Sequence, residues 1–186
     1  NAQHVFGADS STAATKTQAN IAGRQSALRL LRFLRSLPGC ENARLMKMPQ
    51  ETGIRETYRI VGETQITHDD YTGGRRFDDA VCFSFYPIDL HDEKGVRPQP
   101  LRPGVVPTVP LRALVPKGSR NLLVAGRSVS SDRLANSALR VQASSMAMGQ
   151  AAGAAAALAA RAGTTPTQVP INELRSLLRE HGAIVP

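Results

Sequence analysis

A chain of 186 residues is long enough to bury a sizeable core as one large domain or two small ones. Its formal charge of +8 arises from 23 Lys and Arg against 15 Asp and Glu, but the arginines are scattered, aromatic residues make up only 4%, and no nucleic-acid motif is present, so no nucleic-acid partner is expected. Cys40 and Cys82 lack CxxC or metal-type spacing, which argues against a thiol redox pair and a metal centre and makes a reduced, cytoplasmic chain the expectation.

Residues 1–17 are small and polar without periodicity and read as a loop entering a helix. Over 18–37, Ile21, Ala27, Leu28, Leu30, Leu31 and Leu34 alternate with Arg24, Arg29, Arg32 and Arg35, which predicts an amphipathic helix stopped by Pro38 and Gly39. Its basic face reads as solvated rather than membrane-bound, because Trp anchors are lacking. Residues 44–48 and 57–67 read as strands, the second carrying Tyr58, Ile60, Val61 and Ile66 in partial alternation. A short helix is expected from His68, Asp69 and Asp70 to Gly73 and Gly74, then a strand over 80–86 leading into Pro87, Ile88, Asp89, Leu90 and His91. The Pro-rich segment 95–110 reads as a connecting loop. At the end, 164–170 is a linker and 171–181 a short helix with Leu174, Leu177 and Leu178 on one side.

The stretch 120–162 organises the rest. A short apolar run, 122–125, reads as a buried strand that stops at Gly126 and Arg127 and crosses a Ser/Asp loop into a long helix. That helix is expected to start near Asn136 and Ser137, both good capping residues, and to end near Gly163. Ala138, Val141, Met146, Met148, Ala151, Ala155 and Leu158 leave little polar surface, so it should be buried all round. Gly149 and Gly153, one turn apart, would let a backbone or flat ligand approach. Ser144, Ser145 and Gln150 make it too polar to span a membrane. Unpaired N–H groups and the positive dipole end at its start would suit an anion over 136–140.

GIRETYRIVGE at 53–63, TGGRRFDDAV at 72–81, YPIDLHD at 86–92, VPLRALVPKGSRNLLVAGR at 109–127, SVSSDRLANSALRV and MAMGQAAGAAAAL follow one another in order. Together they resemble the C-terminal part of bacterial FAD-dependent oxidoreductases related to the glutathione reductase and fumarate reductase flavoproteins. SDRLANSAL is also similar to the RLGANSLL flavin motif of succinate dehydrogenase and fumarate reductase, with the Gly-rich part reduced to Leu134 and Ala135. No GxGxxG with a downstream acidic residue occurs, so the adenine half of an FAD site is lacking. The resemblance implies a missing N-terminal FAD-binding segment upstream, with the present chain a C-terminal fragment or cleavage product that is inactive alone. The expected fold is α+β. It comprises a helical lead-in (1–39), a substrate or cap domain of mixed and antiparallel strands with helices (40–118), and the C-terminal strand–helix segment (119–186) of a Rossmann-like FAD-binding domain whose N-terminal part is absent.

A flavin supplies the electron chemistry, and the protein supplies orientation and electrostatics. The cofactor-side candidates are Gly126, where the backbone can pass close to the FAD chain, Arg127 as a cation, and Asn136, Ser137, Ala138, Leu139 and Arg140 around the expected helix start. N–H groups of Ser137, Ala138 and Leu139 would stabilise negative charge on reduced flavin. On the substrate side stand Arg55, Arg59, His91 and Arg140, with Arg55 and His91 chosen as the catalytic pair: an arginine grips a carboxylate bidentately, and a histidine exchanges a proton near neutral pH. Taken singly, each is also consistent with an ordinary surface charge, and His91 beside Asp89 with an ion-paired loop. The expected reaction transfers electrons or hydride between a small polar or anionic molecule and FAD, with oligomerisation left open. The competing reading is a flavin-free basic binding or scaffolding module that keeps the fold.

Overall fold

The computed structural model describes residues 4–5, 7, 9–55, 58–92 and 95–186. They fall into two compact units, Asn1–Thr57 and Tyr58–Pro186, so 58–118 and 119–186 belong to one unit.

The first unit is built on helix α1, Ala13–Arg35. It starts five residues earlier than the apolar periodicity indicates, because Thr12 forms a capping box with Thr15: each side chain takes the other's backbone N–H. The chain returns along α1 through Thr52, whose N–H donates to Asn20 Oδ1 at 2.7 Å, and through Gln50, whose carbonyl accepts from Arg24. Gly23 permits this approach, since a Cβ there would sit 2.6 Å from Thr52 Oγ1. The strand expected at 44–48 does not form, the backbone there having no regular secondary structure. Of the strand expected at 57–67, Thr57 lies outside the described residues, and the remainder makes isolated bridges, Gly62 to Pro116 and Ile66 to Ser131, rather than a sheet.

In the second unit, α2 (His68–Gly73) forms where expected, with Thr67 and Asp70 as a capping box and left-handed Gly74 ending it. Strand β1 (Ala80–Phe83) pairs antiparallel with β4 (Thr108–Pro110), Cys82 opposite Val109, with a bulge between Ala80 and Cys82. The expected loop over 95–110 thus contains β4, and also β3 (Gly95–Val96), which pairs with β2 (His91–Asp92). Its prolines conceal these strands. Pro110 can sit at a strand end because no ladder N–H is required there. The run 122–125 is no buried strand: Leu122 is 53% exposed, and the segment's backbone bond to the neighbouring chain is Val124 N–H to Leu114 C=O.

The long helix is two helices. Asp132 caps α3 (Arg133–Leu139) by accepting the N–H of Ala135, and the chain breaks at Val141, whose extended backbone starts α4 (Gln142–Ala162). Left-handed Gly163 ends α4 as expected. α4 buries Met148, Ala151, Ala155 and Leu158 against β1 and α5 (Ile171–Glu180), where Leu174 and Leu178 close the core. Arg175 ties α5 to the sheet through the carbonyls of Ala80 and Asp78, both at 2.9 Å. Fully burying each of Leu139, Leu174 and Leu178 contributes about 1.5–3 kcal/mol. Contrary to the expectation of burial all round, Gln142, Met146, Gly149 and Gly153 form an exposed stripe on α4, with open space beside both glycines.

Two buried acids make the fold alkali-sensitive. Burial pushes the Cys82 thiol up to about 12 from an ordinary 9.0. Burial likewise pushes the Tyr71 phenol up to about 12 from 10.0, against the hydrogen bond from Ser84. Both folded values are raised, so their contribution is complete below pH 9 and is lost as pH climbs from there towards 12, where only the unfolded chain has released its protons. Thiol labelling at pH 8 should modify Cys40 first and reach Cys82 only on unfolding. Equal labelling rates for the two cysteines would contradict this packing.

Candidate functional site

The bridge between Ile88 and Gln99, with N–H to carbonyl distances of 3.1 and 2.9 Å, delivers Asp89 onto α3. There the Asp89 backbone is clamped at both ends. Its N–H donates to Ser137 Oγ at 3.0 Å, and its carbonyl accepts from Arg140 Nη2 at 2.8 Å. Ser137 spends its own proton on the Leu134 carbonyl, so its oxygen is an acceptor towards Asp89. With the backbone fixed, Asp89 Oδ2 lies 3.0 Å from His91 Nε2, and the two side chains are 12% and 13% exposed. A carboxylate only accepts, so the proton between them sits on Nε2, and in the neutral ring Nδ1 is the basic atom. This is how a carboxylate sets a histidine's tautomer and orientation for proton transfer.

His91, Ser137 and Arg140 are therefore brought together by Asp89, a residue noted in the sequence only as a neighbour of His91. Its signal was the two-residue spacing, which on extended backbone puts both side chains on one face. Arg55 lies in the first unit. Arg59 donates through Nε to the Ser131 carbonyl at 3.1 Å, beside α3.

The helix start expected at Asn136 and Ser137 is corrected. Asn136 N–H bonds back to Asp132 and Arg140 N–H to Asn136, so Ser137, Ala138 and Leu139 lie inside α3, each fully buried, and their N–H groups do not form a helix end. Asn136 and Ser137 resemble caps in sequence, but Asp132 takes that role, its carboxylate accepting from Ala135 and from His68 N–H. Asn136 acts through its side chain: Nδ2 donates to the carbonyl of Arg127 and to Ser131 Oγ, both at 3.1 Å. That bond holds the turn at Gly126 and Arg127. Gly126 needs its φ of +79°, and a Cβ there would lie 3.7 Å from Ser145 Oγ, in the first turn of α4.

The open helix start is thus that of α4. Val141 offers no capping side chain, so among the described residues the first-turn N–H groups of Gln142, Ala143 and Ser144 receive no side-chain partner, and Gln142 and Ala143 are exposed. Alongside it, three hydroxyls stack inward: Ser144 Oγ to Ser84 Oγ at 2.9 Å, Ser84 Oγ to Tyr71 Oη at 2.8 Å, and Tyr71 to the Tyr86 carbonyl at 2.8 Å. No sequence pattern linked these four residues, which come from three separate segments.

A left-handed glycine turn thus lies against the start of the 21-residue α4, and the largely buried Asp89–His91 pair is anchored on the preceding helix. A sequence model of the FAD dependent oxidoreductase family matches residues 1–178, and the chain belongs to that family. No curated protein and no solved structure matches it. Membership brings flavin-dependent oxidoreductase chemistry.

The residues present fit a flavin. Asn136 is fully buried, yet its Oδ1 has no hydrogen-bond partner among the described residues, and it sits beside the Gly126 turn. The uncapped α4 start suits an anionic edge. Among the described residues there is no cluster of three metal-type side chains, and no helix is long and apolar enough to cross a membrane.

Proposed function

We propose that this chain provides the substrate domain and the flavin-facing segment of an FAD-dependent oxidoreductase that acts on a small polar or anionic molecule. The observation that carries the reading is the Asp89–His91 pair locked onto α3 in a chain of this family. When bound, FAD supplies the two-electron chemistry. Gly126, Arg127 and Asn136 would hold it at the turn, and the N–H groups of Gln142, Ala143 and Ser144 would face its electron-rich edge, replacing Ser137, Ala138 and Leu139 in that role. His91 holds or moves the substrate proton, and Asp89 orients the ring for that task.

The 186 residues contain no GxGxxG, which supports a separate segment, outside this sequence, for the adenine and pyrophosphate. The chain alone should then bind FAD weakly, since most of the binding surface lies elsewhere. Stoichiometric yellow flavin on this chain would refute that division.

The test of the whole reading is anaerobic flavin reduction in the full-length protein by a panel of carboxylated and neutral compounds. Carboxylated or otherwise strongly polar compounds should reduce it. Reduction by neutral apolar compounds alone would overturn the reading of a polar or anionic substrate. A full-length protein that holds no flavin would favour the basic scaffolding module instead.

A further inference from the structure

We infer that Ser144, Ser84 and Tyr71 form a one-way hydroxyl chain that fixes the first turn of α4, and that Tyr71 and Ser84 are positioning residues for the flavin edge this turn serves. The role at the flavin rests on the placement of α4's start given above. The chain itself rests on proton counting.

Tyr71 has a single hydroxyl proton, and its contact with the Tyr86 carbonyl requires that proton, because a carbonyl can only accept. In the 2.8 Å contact with Ser84, Tyr71 must therefore accept and Ser84 donate. Ser84 in turn has one proton, so in its 2.9 Å contact with Ser144 it accepts, and Ser144 donates. The order is Ser144 to Ser84 to Tyr71 to the Tyr86 carbonyl, with no alternative direction. Tyr71, Ser84 and Ser144 are 1%, 1% and 4% exposed, so water does not substitute for a lost member.

The direction has a structural consequence. A helical serine can bond back to a backbone carbonyl four residues earlier, which bends the chain there. Ser144 spends its only proton on Ser84 instead, just beyond β1. The start of α4 is therefore located by a directional bond as well as by apolar packing, and apolar contact alone tolerates sliding. In a buried setting, bonds arranged head to tail strengthen one another. Tyr71 thus acts on α4 through one intermediary, Ser84, without touching it by this route.

The experiment uses Tyr71→Phe, which keeps the ring, together with Ser84→Ala, Ser144→Ala and the double variant Tyr71→Phe/Ser144→Ala. In the protein stripped of flavin, amide exchange in the first turns of α4, including the Ser145 N–H that bonds to Val141, should quicken about fivefold in Tyr71→Phe, as expected for the loss of one net hydrogen bond, while α5 amides are unchanged. Tyr71 and Ser144 share no hydrogen bond, so coupling between them in the double variant must pass through Ser84. With flavin bound to the full-length protein, Tyr71→Phe and Ser84→Ala should shift the flavin midpoint potential in the same direction. Additive effects on exchange would overturn the chain. Coupled exchange with an unchanged potential would overturn its role at the flavin and the placement of α4's start there, and would leave the reading of His91 standing.

Discussion

Replacing His91 with alanine should slow substrate turnover about 10²- to 10⁴-fold, the range contributed by a positioned acid–base group, with a much smaller change in KM. The argument begins at Asp89, whose backbone is held by Ser137 and Arg140 and whose carboxylate accepts from His91 Nε2. Asp89→Asn leaves the backbone clamp in place, because both clamping bonds use main-chain atoms. It replaces an acceptor-only group with an amide that also donates, so the ring tautomer is no longer set. Turnover should therefore fall in Asp89→Asn as well, while the melting temperature changes little. Arg140→Ala should lower turnover and stability together, loosening the segment at Asp89, because it removes the guanidinium that holds the Asp89 carbonyl. The measurement is stopped-flow flavin reduction under anaerobic conditions, paired with thermal unfolding of each variant. Wild-type reduction rates in His91→Ala and Asp89→Asn together would make the pair structural and move the chemistry elsewhere.

Local chemistry explains which parts could be read from the residues. The short helix α2, the left-handed ends at Gly74 and Gly163, and the terminal helix α5 were readable because each depends on neighbouring residues: a capping box, a glycine free to take positive φ, a leucine stripe. β4 was not readable, since Thr108, Val109 and Pro110 are extended only because β1 supplies a partner from nearly thirty residues away. The break at Val141 was missed for a related reason. Small apolar residues continue through it, and only the capture of the Arg140 side chain by Asp89 and of the α4 start by Ser84 gives the chain a reason to turn there. At the candidate site, His91 and Arg140 stood out as residue types with obvious chemistry. Asp89, Asn136 and the Tyr71–Ser84–Ser144 chain owe their significance to contacts between 5 and 60 residues apart.

Two proline substitutions separate the helix start expected from the residues from the one the structure shows, and they should behave oppositely. Ser137→Pro falls inside α3, between the Asn136 to Asp132 and Arg140 to Asn136 bonds, where proline deletes a helical N–H and clashes with the preceding turn at a cost of about 3 kcal/mol or more. It also removes the oxygen that receives Asp89 N–H, so the whole second unit should lose stability and the variant should be poorly folded. Gln142→Pro falls at the first residue of α4, where no intrahelical N–H bond is needed. The preceding Val141 already has φ −72° and ψ 158°, the conformation a residue before proline prefers. Its fold should therefore survive with stability changed by no more than about 1 kcal/mol. One N–H and part of the open helix end would nonetheless be gone, so flavin affinity or potential in the full-length protein should change while the melting temperature does not. Urea unfolding and flavin titration of both variants decide the matter. A stable Ser137→Pro with altered flavin, beside a Gln142→Pro with unaltered flavin, would return the flavin-facing helix start to residue 137.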